Sequence, residues 1–155
     1  MAAYDTRLQT HHASQQAILS GDTFWPHNTA AEMDVLSIIS EKTERVHTME
    51  LTDDHFFEAR NKALFKAIKS LSLTYDVVTV ADVVSKLGGE ENINMAGGYA
   101  YINEALSNKV SEFRMFDRVH EVKSTFKRRE AIRAAISIAK KASSSSNADE
   151  LLPFI

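Results

Sequence analysis

Residues 111–143 read SEFRMFDRVHEVKSTFKRREAIRAAISIAKKAS, a run without glycine or proline. These two residues are the usual interrupters of a helix, one through backbone entropy and the other through its missing N–H. Phe113, Phe116, Val119, Val122, Phe126, Ile132, Ile136 and Ala139 recur in the run at helical intervals, which predicts one long helix with a broad apolar side. Roughly 30 residues at 1.5 Å per residue extend about 45 Å. That exceeds the diameter expected of the small body before it, so part of the helix is expected to project.

Upstream of this run the chain is punctuated more often. Pro26 leads into a helix that Asn28 or Thr29 can cap, with Glu32 in the first turn and Val35, Leu36 and Ile39 forming one apolar stripe. Thr43 to Met49 reads as a short second helix, and Thr52 opens a turn that presents Phe56 and Phe57. Arg60 to Ser72 is a helix with Leu64, Phe65, Ile68 and Leu71 facing a core. Thr79 and Asp82 have capping-box spacing ahead of Val80, Val83, Val84 and Leu87, and Gly88-Gly89 supplies a left-handed stop. Glu90 to Ala96 is read as a polar loop, and Gly97-Gly98 as a tight entry into a helix carrying Tyr99, Ile102 and Leu106. The fold class is all-α. Residues 1–25 form a tail with a possible short helix from Asp5 to Ser20, residues 26–108 a globular body, and residues 109–155 the long helix, a serine-rich turn and the start of a returning helix at Asp149–Leu152.

Composition narrows the class further. With five glycines and two prolines in 155 residues, tight turns are few and an all-β chain is disfavoured. The chain has no cysteine, which excludes a disulfide framework and a thiolate metal site. No apolar run approaches the roughly 18 residues of a membrane span, and the N-terminus lacks the layout of a secretory signal. A cytoplasmic protein with no membrane partner is expected. The net charge of −3 is unevenly spread. Lys109 to Lys141 holds ten Lys/Arg against four Asp/Glu, a balance of +6, while the rest holds eight against seventeen, or −9. A basic arm on an acidic body is expected.

Catalytic chemistry is not indicated. A phosphate-cradling loop needs a glycine-rich turn leading into Lys and Ser/Thr. Neither Gly88-Gly89 nor Gly97-Gly98 does so. His11, His12, His27, His47, His55 and His120 include no pair at the i, i+4 spacing of a helical metal site, so neither metal nor cofactor is expected. A helix-turn-helix built on Thr79–Gly88 would use Glu90–Ala96 as its reading segment, and that segment is acidic where phosphates demand cations.

Two surface sets remain. Phe113, Phe116, Val119, Val122, Phe126, Ile132 and Ile136 have two readings: packing within their own chain, or a self-association seam along a helix too long to bury its apolar side alone. Lys123, Lys127, Arg128, Arg129 and Arg133 are candidates for contacts with phosphates or an acidic partner, or they keep a long helix soluble.

The ordered set Pro26–Glu32, Phe56 or Phe57 with Arg60, Phe65 and Leu71, Thr79–Asp82, Leu87-Gly88, Gly98-Tyr99, Tyr101-Ile102 and Arg128-Arg129 resembles the N-terminal domain of the bacterial replicative DNA helicases, the DnaB type. The resemblance runs from about Pro26 to Ser143; the tail before it has no counterpart. It implies a helical globule followed by the first arm of a helical hairpin. Such hairpins pair subunits, and three dimers build a collar over the motor ring. It also implies partners in the primosome: the primase C-terminal domain, in some systems a helicase loader, and single-stranded DNA only through the full helicase. On that reading the chain is an assembly and docking domain with no motor activity of its own. Two other readings stand beside it. One is a stand-alone phage or prophage regulator that mimics the helicase domain. The other is a small DNA-binding module using the basic arm.

Overall fold

The structure, a computed structural model, describes residues 25–144. The expected helix at Asp5–Ser20, the serine-rich turn past Ser144 and the returning helix at Asp149–Leu152 lie outside the described residues. Seven helices occur among those described: α1 Thr29–Glu41, α2 Arg45–Thr48, α3 Ala59–Leu71, α4 Val80–Leu87, α5 Glu90–Met95, α6 Gly98–Ser107 and α7 Glu112–Ser144. A single 3-10 turn, Asp53–His55, lies between α2 and α3, and no strand is present among the described residues. The fold is all-α.

Each entry follows from local chemistry. Asn28 is extended, and its side-chain oxygen accepts from Ala31 N at 3.0 Å, satisfying one of the unpaired donors at the start of α1. Thr79 and Asp82 cap α4 reciprocally: Thr79 N donates to the Asp82 carboxylate at 2.8 Å, and Asp82 N donates to the Thr79 hydroxyl at 3.3 Å. Gly88 ends α4 in the left-handed region, φ 77°. Glu90–Met95 is a helix rather than a loop. Its acids sit in the first turn, where the dipole favours them, and Ile93 anchors it in the core.

Two units make up the chain, one spanning His27–Phe126 and the other residues 127–155 together with the residues up to Pro26. The first is organised around α1. Its predicted single stripe is an underestimate, because Val35, Leu36, Ser37, Ile38, Ile39 and Ser40 are all buried. A helix buried all round over six successive residues is a central element there rather than a surface one. It packs against α3 and α6, α3 packs in turn against α4, and α5 against α6. The core joins Leu36 and Ile39 to Leu64, Phe65, Ile68, Val83, Ile102 and Ala105, and it takes in Val119 and Val122 of α7. The body therefore continues to Phe126, beyond the boundary at residue 108 read from the sequence, because the first turns of α7 close the core.

In the second unit the described part is the remainder of α7 with Trp25 and Pro26. Arg129 Nη1 donates to the Pro26 carbonyl at 2.8 Å, and the Arg133 guanidinium lies 5.4 Å from the Trp25 ring centroid. Ile132 and Ile136 are half-buried.

Candidate interaction surface

A buried polar network runs through the His27–Phe126 unit. Glu32 is 1% exposed, and its carboxylate accepts from Phe57 N at 2.5 Å, Glu58 N at 3.3 Å and Asn61 Nδ2 at 2.8 Å. The Asn61 side-chain oxygen accepts from the Tyr101 hydroxyl at 2.6 Å, and the Arg60 guanidinium lies 3.8 Å from the Tyr101 ring centroid. Three elements, α1, α3 and α6, are thereby fixed to one another by paired polar groups that are costly to separate. Burial pushes the Tyr101 hydroxyl above the usual phenol range, although the Arg60 cation and the bond to Asn61 oppose the shift. The sequence placed Glu32 at a helix start; its role as acceptor for the start of α3 was not visible there. A first-turn acid on a helix that proves central was the available signal.

A second set of contacts positions α7. Arg118 Nε lies 2.9 Å from the Asp34 carboxylate on α1, and Asn108 Nδ2 donates to the other oxygen of Asp34. Asn108 contributes its carbonyl as well, accepting from the Ser37 hydroxyl. The linker from α6 to α7 is thus tied to the central helix at two points. Met115, Val119 and Val122, at i, i+4 and i+7, are pressed into the body.

That orientation divides the predicted seam. Phe113 and Val122 are nine residues apart, half a turn out of phase at about 100° per residue, so one broad side cannot hold both. Val119 and Val122 are core residues of their own body, and this corrects their reading as seam residues. Phe126 is half-buried and meets the His55 ring edge-on, with centroids 5.0 Å apart. Phe113 and Phe116 are left 90% and 75% exposed on the first turns of α7. The two rings, three residues apart, stand on neighbouring positions of the helix surface.

The basic set divides too. Arg129 is 1% exposed, so it is a structural arginine and not a phosphate contact, a second correction. The Lys123 ammonium donates to the Met49 carbonyl at 2.5 Å, fastening α7 to the end of α2. Arg133 pairs with Glu130 one turn before it. Lys127 and Arg128 are exposed. Among the described residues no group of His, Asp or Glu is arranged to hold a metal ion. His55 instead closes a cap, its Nδ1 accepting from Thr52 N at 3.0 Å. No helix among the described residues is long and apolar enough to cross a membrane.

A model of the DnaB-like helicase N-terminal domain family matches residues 25–124. No curated protein gives a significant match to the chain.

Proposed function

Because the chain belongs to this family of helicase N-terminal domains, we propose that it is an assembly and partner-docking domain of a replicative DNA helicase and carries none of the motor's chemistry. The observation that carries the reading is the pair Phe113 and Phe116, held in the open by a helix whose Val119 and Val122 are locked into the core. An apolar pair presented from a rigid support favours a protein partner, since little ordering entropy opposes the contact. In the assembled helicase that partner is a second copy, with dimers building the collar. The same body receives the primase C-terminal domain or a loader, in the cytoplasm.

Light scattering across a concentration series, with and without the primase C-terminal domain, tests both associations. A mass that doubles with concentration, and that Phe113→Ser and Phe116→Ser return to a monomer, supports the seam. A further mass increase with the primase domain supports docking. A chain that stays monomeric and takes up no primase domain overturns the proposal.

A further inference from the structure

A different exposed apolar group lies just past the C-terminal end of α3. Leu73 is 82% exposed, and Tyr75 and Val77 follow it on the same connection. Its backbone is firmly held. Thr74 N and Tyr75 N both donate to the Leu71 carbonyl, at 3.0 and 2.9 Å. Thr43 fastens the other side, its hydroxyl donating to the Tyr75 carbonyl at 2.6 Å and its N–H to the Asp76 carbonyl at 2.9 Å. Leu73 is therefore presented by a fixed turn.

Beside Leu73 is a groove of about 320 Å³ that Phe65, Lys66 and Lys69 of α3 also line, with His47 and Asp53. That volume is at the lower end of the roughly 300–1,000 Å³ of ligand pockets and has room for an anchoring side chain. Lys66 Nζ lies 3.6 Å from an Asp53 carboxylate oxygen. Lys69 is exposed and meets no carboxylate among the described residues. The groove thus combines an apolar anchor point with a cationic rim one charge in excess.

We propose that this groove docks an acidic amphipathic segment of a partner protein. An apolar side chain of the segment enters beside Leu73, one carboxylate pairs with Lys69, and another competes with Asp53 for Lys66. Charge and apolar surface together decide between occupants: a basic segment would meet Lys69 unpaired, and a phosphate backbone would leave Leu73 without an apolar partner. The inference is independent of the Phe113–Phe116 seam.

The probe is a fluorescein-labelled peptide with leucines at i, i+3, i+4 and i+7 and glutamates between them. Its anisotropy is followed against the full chain at about 50 mM salt, where screening is modest. The acidic peptide should bind saturably, and a counterpart with lysines in place of glutamates should not. Leu73→Ser, and Lys66→Glu combined with Lys69→Glu, should each weaken binding about tenfold or more. These positions are exposed, so the unfolding midpoint should not move, and Phe116→Ser should bind as wild type does. Absence of saturable binding, equal binding of the lysine peptide, or unchanged binding by the groove variants would overturn the proposal.

Discussion

Glu32 is the residue on which the body turns. It is buried, and three donors converge on its carboxylate. Glu32→Gln keeps the shape but sets an NH2 against donors it cannot accept from, so a loss of about 1–3 kcal/mol is expected in a urea titration. Tyr101→Phe removes a single hydroxyl contact and should cost about 1 kcal/mol near neutral pH. Its pH dependence has a definite sign. Since burial raises the Tyr101 pKa, the hydroxyl's contribution is complete below the ordinary phenol range and is lost as pH rises through the folded value. The stability gap between wild type and Tyr101→Phe should therefore narrow at alkaline pH, read from unfolding midpoints. Asp82 behaves oppositely. The Thr79 backbone N–H, followed by the Thr79 hydroxyl, lowers its pKa, so its contribution is present above the ordinary carboxyl range and is lost in acid. The gap between wild type and Asp82→Asn should narrow as pH falls through that lowered value.

Helix boundaries were the most legible elements. Asn28, the Thr79–Asp82 box and Gly88 each perform the local task their sequence spacing announced, because a cap involves only neighbouring residues. The Gly97-Gly98 entry to α6 is equally local but more demanding. Gly97 has φ 98°, and a Cβ there would lie 2.4 Å from Tyr101 Cδ1. Gly97→Ala should cost at least about 1–3 kcal/mol of backbone strain before any steric term. At Gly89 a Cβ meets open space with no positive φ; the stiffer unfolded chain of Gly89→Ala is offset by alanine's poorer fit at the N-cap of α5, so the change should stay within about 1 kcal/mol of wild type. Thermal melts of the two variants side by side would expose an error in either assignment. Helix α7 needs a different test, because its period was read correctly and its faces were not. Val122→Ala should cost about 2 kcal/mol through lost packing, while Phe116→Ser should leave the midpoint within about 0.5 kcal/mol. Equal losses at both sites would contradict the division of the helix into a core face and a free face.

At the scale of the molecule, the basic arm has fewer free charges than its sequence promises. Lys123 and Arg129 hold the chain together, Arg133 is paired with Glu130, and Lys127 and Arg128 are exposed. Salt-dependent binding to DNA scales with the number of phosphates neutralised. Any such binding through the five cations Lys123, Lys127, Arg128, Arg129 and Arg133 should rest on Lys127 and Arg128, so replacing both with alanine should lower the slope of log affinity against log salt by about two phosphates. An equal drop from Arg129→Ala would restore the whole set as a contact surface. The sequence by itself determined the all-α class, the helix order and the caps, since these depend on periodicity and on residues a few positions apart. It also carried enough ordered signal to point to the family that the match over residues 25–124 establishes. Only the tertiary structure decided that the C-terminal half of α1 is buried all round and that the Glu32–Asn61–Tyr101 network joins three helices. It also decided that Arg129 is buried, and that Val119 and Val122 face inward while Phe113 and Phe116 face out. The reason is geometric. A helical period shows which residues share a face, but which face meets a neighbour depends on partners such as Asp34, Asn108 and Arg118, brought together from separate stretches of the chain.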